Sequence, residues 1–343
     1  MSDGEMTSLE RTETALSLTE PDRLPLFLNL TMHGARETGL SIREYFSDPA
    51  HVVLGQERLR ERYGGDSMTG FCYGAAEGEA FGGETIFFDD GPPNAGAPPV
   101  RDIESLEVPD PTMSPALLRM LTATRILADR YGDTVPIAGV AISPFSLPVM
   151  QLGFGRYLDL LLAEDPLFWR LMEVNREFCI TWASLQIEAG ATAIVYFDPV
   201  SSPTIIPPDL ARKTGLAIAK EVIREIPGPV AYHLASGRAL PIARELIESG
   251  AVAVGVSALE SLADLKEAFK GEIAIIGNLD GVSMRNWSLE TATRKVREAI
   301  DMGAPGGGFI LSDNHGEIPW QVQDPVIRAI ADAAHLYGRY PAP

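Results

Sequence analysis

Short apolar runs alternate with longer amphipathic stretches along almost the whole chain. The runs cover 24–30, 135–142, 193–198, 230–233, 251–257, 273–278 and 308–312. Each is rich in Val, Ile, Leu or Ala and is bounded by Gly, Pro or polar residues, the pattern of a strand buried on both faces of a parallel sheet. A weaker run at 66–73 is an eighth candidate. Between the runs, 49–63, 115–131, 157–189, 208–225, 239–249, 262–270, 289–302 and 324–337 carry helical periodicity. Several open on Pro or a capping residue and close on Gly. Strand followed by helix, repeated, predicts an α/β fold: a (β/α)8 TIM barrel forming one domain over 23–340, with an N-terminal tail and helix over 1–22. An open doubly wound sheet is disfavoured, because no Gly-x-Gly-x-x-Gly turn follows the first run. Segment 87–111 is proline-rich and lacks periodicity. It is too long for an ordinary connection and predicts an insertion packed across the barrel.

Charge narrows the partners. A formal net charge of −19 works against nucleic acid and anionic membranes, which recruit Lys and Arg. Two cysteines, Cys72 and Cys179, are too few for a disulfide framework or a multi-cysteine zinc site, and predict a reducing, cytoplasmic setting. The first twenty-odd residues are polar and acidic, unlike a signal peptide. No apolar run approaches the roughly 18 residues of a membrane span.

In a parallel barrel, chemistry collects where the strands end. Read in order, those ends bring Asn29, Met32, His33 and Arg36, then Cys72 and Tyr73, then Ser143 and Phe145. Tyr196 and Asp198 follow, then His233 and Arg238, Ser257 and Glu260, Asn278 and Asp280. The last end carries Ser312, Asp313, His315 and Glu317. Many such residues serve only as turns or helix caps. The set nevertheless predicts His233, His315, Asp198 and Tyr196 as catalytic groups, and His33, Arg36, Tyr73, Phe145, Arg238 and Asn278 as substrate-binding groups. Cys179 lies in a helical stretch and is expected in the core. Gly303-Ala-Pro-Gly-Gly-Gly308 has the look of a phosphate loop, but it precedes a strand and no Lys follows, so a tight turn is expected.

Several stretches together carry a family likeness. They are Gly-Gly-Asp66, Glu77-Gly-Glu-Ala-Phe-Gly82, Phe87-Phe-Asp-Asp-Gly-Pro-Pro93, Ser143-Pro-Phe145, Ile276-Gly-Asn-Leu-Asp280, Gly306-Gly-Gly-Phe-Ile-Leu-Ser312 and His315-Gly-Glu-Ile-Pro319. With them the chain resembles the uroporphyrinogen decarboxylase superfamily from about Thr12 to Leu336. That superfamily includes zinc-dependent methylcobamide methyltransferases and is related in fold to cobalamin-independent methionine synthase. The resemblance implies a (β/α)8 barrel with its site at the strand C-termini. The decarboxylases' Met-Arg-Gln-Ala-Gly-Arg loop reads Met32-His-Gly-Ala-Arg36 here, and their Phe-Ser-Asp falls near Phe71-Cys-Tyr73, without the Asp. Their His-Gly is kept as His315-Gly316. A substrate with eight carboxylates calls for several placed cations, and the local supply is Arg36, Arg43, Arg238 and Arg156.

The methyltransferase branch binds zinc through His-x-Cys and a later Cys, which the resemblance maps to His233-Leu-Ala235 and a position at or beside His315. The thiolates are gone. Two outcomes stay open. The metal is lost and the histidines act as acid, base or hydrogen-bonding groups. Alternatively zinc is held by His233 and His315 with Glu317, Asp313 or Asp198. Asp313-x-His315 matches the opening of a corrinoid-binding signature, but no Gly stands three residues after the His, so a methylcobamide would have to come on a separate corrinoid protein. The implied activity is methyl transfer between that cobamide and a small acceptor or donor. A decarboxylase acting on a tetrapyrrole or smaller acid is the alternative, and a non-catalytic ligand-binding barrel the second. The family also implies a homodimer.

Overall fold

The computed structural model describes residues 5–269 and 271–341. Eight parallel strands run round a TIM-barrel-like ring: β1 (Leu26–Phe27), β2 (Met68–Thr69), β5 (Ile137–Ile142), β6 (Ala193–Phe197), β7 (Val230–His233), β8 (Ala253–Gly255), β9 (Ala274–Leu279) and β10 (Phe309–Asp313). A small antiparallel hairpin, β3 (Thr85–Ile86) and β4 (Asn94–Ala95), stands apart from the ring. All eight predicted strands are present, including the weak one. The helices at Pro49–Tyr63, Pro115–Tyr131 and Asp324–Tyr337 keep the predicted limits.

Two long helical stretches are broken. The stretch over 157–189 divides into Phe154–Leu162 and Pro166–Glu188, because Pro166 cannot continue a helix and Asp165 caps the new one. The stretch over 208–225 divides at Thr214 into Pro208–Lys213 and Gly215–Glu225. The helix expected over 262–270 is Leu262–Phe269; Lys270 lies outside the described residues.

Seven neighbouring strand pairs carry parallel ladders among the described residues. The eighth junction, between β1 and β2, is closed by Asp66. Its backbone N–H donates to the Leu26 carbonyl at 2.8 Å, and its Oδ2 accepts the Leu26 N–H at 2.9 Å. The carboxylate is fully buried and is also held by Arg11 Nη1 (2.8 Å), Arg23 Nη1 (2.6 Å), Arg23 Nη2 (2.8 Å) and Ser8 Oγ (2.8 Å). Burial raises its pKa, and the contacts with Arg23 and Arg11 outweigh that, so the net shift is downward. One side chain therefore joins the first strand to the second and locks the N-terminal helix Ser8–Leu16 to both.

That helix also closes the bottom of the barrel. Ala231, Ala253 and Ala274 stand in register on β7, β8 and β9, and Leu16 and Leu18 pack against them. The Pro-rich insertion is tied down by carbonyls. Arg156 donates to Val100 (2.8 Å) and Arg101 (3.0 Å), Arg170 to Leu106 (2.8 Å), and Gln321 reaches the Asp90 carbonyl at 2.8 Å. No helix among the described residues is long and apolar enough to cross a membrane.

Replacing Asp66 by Asn leaves two guanidinium groups facing a neutral amide. Asp66→Asn is expected to lower unfolding stability by about 3–5 kcal/mol in a urea titration at neutral pH. An unchanged midpoint would remove Asp66 from this role.

Candidate active site

The top of the barrel is organised around His233, the last residue of β7. Its register neighbours are Phe197 on β6 and Gly255 on β8. The imidazole stacks on Phe197 (5.5 Å between centroids, 27° between planes). Glycine at 255 is required on the other side, since a Cβ there would lie 2.5 Å from the His233 ring. The turn beyond, Leu234-Ala235, brings Ala235 to φ 51°, in the left-handed region. That conformation directs the Ala235 N–H onto His233 Nδ1 at 2.9 Å. Nδ1 is thus an acceptor and Nε2 carries the proton. Nε2 has no partner among the described residues. Burial, then the neighbouring His315, lowers the His233 pKa to about 4, so the ring is neutral at physiological pH.

The loop after β10 brings His315 to this ring. His315 is exposed, and its Nδ1 lies 2.8 Å from the Oγ of Ser236, the residue that follows the Leu234-Ala235 turn. Gly316 sits against Phe197 and His233, where a Cβ would fall 3.2 and 3.9 Å from their rings. The loop is shaped by Asp313, whose Oδ2 accepts the N–H groups of His315 and Gly316, both at 3.0 Å, and whose Oδ1 accepts Asn29 Nδ2 at 2.8 Å. Arg238 is exposed beside the same β7 loop. It donates to the Leu259 carbonyl at 3.3 Å and has no ion pair among the described residues.

Other predicted residues turn out to hold the scaffold. Asp198 is fully buried, with Oδ1 accepting from Ser143 and Ser146 (both 2.7 Å) and Oδ2 from Ser201 (2.5 Å) and Tyr232 (2.6 Å). Four hydroxyl donors saturate its lone pairs, so it pins the ends of β5, β6 and β7 instead of facing a substrate. Tyr196 is fully buried, edge-on to Tyr232 at 5.3 Å. Phe145 is core, packed on Tyr157 and Phe168. Asn278 donates to the carbonyls of Ser257 (3.0 Å) and Glu260 (3.1 Å), joining the β8 and β9 loops.

His33 and Arg36 are likewise engaged. His33 is buried, bonds the Ile318 carbonyl through Nε2 at 3.0 Å, and is pushed down to about 4 by burial and then by Arg36. Arg36 lies over Trp320 (4.0 Å) and donates to the carbonyls of Val322 (3.0 Å) and Trp320. Glu317 accepts from the Thr31 hydroxyl, and from the N–H groups of Thr31 (3.2 Å) and Met32 (3.1 Å); burial foremost, with Asp313 adding, pushes it up to about 8. Tyr73 sits apart from the histidines, with its hydroxyl on Glu79 at 3.2 Å.

The residues present do not fit the zinc centre that the sequence left open. Ala235 contributes no ligand, and its N–H occupies His233 Nδ1. Asp313 and Glu317 each satisfy three donors from the loops. No group of three or more His, Cys, Asp or Glu side chains among the described residues is placed to hold an ion. Ser236 is the group the sequence reading missed; nothing in Leu-Ala-Ser-Gly announces that its hydroxyl will meet a histidine 79 positions away. Glu77 was noted only as a landmark. It is a fully buried carboxyl accepting the Ile142 N–H at 2.9 Å, and burial pushes it up to about 8.

The profile of uroporphyrinogen decarboxylase (URO-D) matches residues 7–337. The chain belongs to that family. Uroporphyrinogen decarboxylase of Alkalilimnicola ehrlichii is 28% identical over 263 residues, covering 71% of this chain and 69% of that protein. Methylcobamide:CoM methyltransferase MtbA of Methanosarcina mazei is also 28% identical, over 191 residues, 52% of this chain and 54% of that one. Among solved structures, a methyltransferase from Methanosarcina mazei superposes with a TM-score of 0.86 at 20% identity, over 97% of this chain and 99% of its own. A B12-independent methionine synthase from Shewanella sp. reaches 0.55 at 14% identity, covering 86% and 88%. The structural likenesses show the barrel fold.

Both buried histidines are neutral because charging them inside the protein is unfavourable. Their folded pKa values lie below the unfolded value, so their contribution is present above about pH 6.5 and is lost as pH falls towards 4. Of the five histidine ring signals in a proton NMR titration, those removed by His33→Ala and His233→Ala are expected to hold still down to about pH 4. Midpoints near 6.5 for both would refute the buried, neutral assignment.

Proposed function

We propose that the chain is a methyltransferase that accepts a methyl group from a methylcobamide carried on a separate corrinoid protein and passes it to a small nucleophile at the barrel mouth. The observation that supports this reading best is the set of groups that keep open valences there: neutral His233, exposed His315 bonded to Ser236, and Arg238, which has no ion pair among the described residues. A polycarboxylate tetrapyrrole needs several cations at once, and Arg36 is already held by Trp320 and Val322. The near-full-length structural likeness to a methyltransferase and the identity to a methylcobamide methyltransferase support the same reading.

A bound methylcobamide supplies an electrophilic methyl group. This chain's residues then handle the acceptor. Arg238 holds its acidic end. His315, donating Nδ1–H to Ser236, has its Nε2 lone pair free to take the proton that the acceptor loses as its bond to the methyl carbon forms. His233 Nε2–H donates a hydrogen bond to the acceptor atom or its neighbour and orients it. The bond broken would be the one between the methyl group and cobalt, whose electron pair would stay with the cobamide on its carrier protein, and the acceptor's proton would pass through His315 to solvent.

The test is anaerobic turnover of methylcobalamin with a panel of thiol and amine acceptors, followed by loss of the methylcobalamin spectrum and by mass of the methylated product. His315→Gln is expected to slow the step about 10²–10⁴-fold with little change in KM. Release of carbon dioxide from uroporphyrinogen, with no methylated product from any acceptor, would overturn the reading in favour of the decarboxylase alternative.

A further inference from the structure

A cavity of about 460 Å³ lies away from the histidines, on the rim where β2 ends. It is open to solvent and is bordered by the short helices Ile42–Tyr45 and Ala75–Ala80, the loop after β2, the β3–β4 hairpin and the first turns of the helix Pro115–Tyr131. None of His233, Ser236, His315 or Arg238 lines it. Its volume is that of a small-molecule pocket.

One wall is aromatic. Phe46, Tyr73 and Phe87 meet edge to face in sequence, with centroids 5.4 Å apart at both contacts. Arg43 lies over Phe87, its guanidinium carbon 4.5 Å from the ring centroid. A guanidinium stacked this way is fixed in position while the N–H groups at its edge stay free. Arg119, half-buried, enters from the neighbouring helix beside Tyr73. Neither Arg43 nor Arg119 has an ion pair among the described residues, although two carboxylates line the same cavity. Glu79 is taken by the Tyr73 and Thr85 hydroxyls, and Glu84 is exposed to water. Arg119 meets the Tyr73 hydroxyl, so both guanidinium groups keep N–H donors with no acid partner among the described residues.

We propose that this rim cavity is a binding site for a small organic acid: a carboxylate received by Arg43 and Arg119, on a flat apolar body laid against Phe46, Tyr73 and Phe87. Two guanidinium groups give a carboxylate charge-assisted, directional hydrogen bonds, and the aromatic wall supplies the apolar area. Burial pushes the Tyr73 hydroxyl's pKa up, so it stays neutral, with its O–H donating to Glu79, and adds no repelling charge. The site is independent of the methyl-transfer reading, since it shares no residue with the histidine group.

The experiment is calorimetric titration of the full chain with benzoate, benzyl alcohol and acetate. Benzoate should bind, and benzyl alcohol, lacking charge, and acetate, lacking the ring, should each bind at least tenfold more weakly. Arg119→Gln and Arg43→Gln should each weaken benzoate about tenfold, and Phe87→Ala should do the same by removing the seat of Arg43, with circular dichroism unchanged in all three. His233→Ala should bind benzoate as the parent does. No benzoate binding up to about 10 mM, equal binding of benzyl alcohol, or loss of binding in His233→Ala alone would overturn the proposal.

Discussion

A buried carboxylate, Asp66, closes this barrel. The hydrogen-bonded order of the eight strands ends on β1 and β2, each two residues long, and no ladder joins these two among the described residues. Asp66 supplies the missing bonds on both sides of Leu26, and Arg11 and Arg23 keep it charged although it is fully buried. A carboxylate so placed is stabilising only while its partners remain, which makes the N-terminal helix part of the barrel's closure. The end of that helix and the turn after it send Leu16 and Leu18 onto the alanine layer of β7, β8 and β9.

At the top, most polar side chains are used to tie the first loop to the last. His33 reaches Ile318, Arg36 reaches Trp320 and Val322, Glu317 reaches Thr31 and Met32, and Asn29 reaches Asp313. These crossings lie above the paired strands β1 and β10, next to the β1–β2 seam that Asp66 closes. They hold the His315 loop over His233, with Gly316 providing the close approach. What remains beside these crossings is small: the His233 imidazole N–H, the exposed His315 with its Ser236 partner, and the Arg238 guanidinium without an ion pair among the described residues. The chemistry of the mouth follows from that remainder.

The alternation of apolar and polar stretches was enough to read the ring, because the strands are buried or half-buried along their whole length and are separated by helices. The broken helices were less legible: periodicity continues across Pro166 and Thr214 even though the backbone does not. At the site, spacing identified the strand ends but not the direction of each side chain. Asp198 and His233 look alike in sequence, each a polar residue at the end of an apolar run. Four hydroxyls converge on Asp198 from three other elements, whereas only a backbone N–H meets His233. Such convergence depends on tertiary packing and leaves no local trace. The loss of the thiolate at Ala235 was visible at once; its consequence, an N–H turned onto the histidine, required the backbone angle.

The central claim is that the mouth works through hydrogen-bonding histidines and not through a rebuilt zinc centre. The most direct measurement is metal content, by mass spectrometry, of protein purified without chelator and of its His233→Ala variant. The account predicts zinc well below one per chain in both. About one zinc per chain in the parent, lost in the variant, would contradict it and return His233 and His315 to the role of ligands.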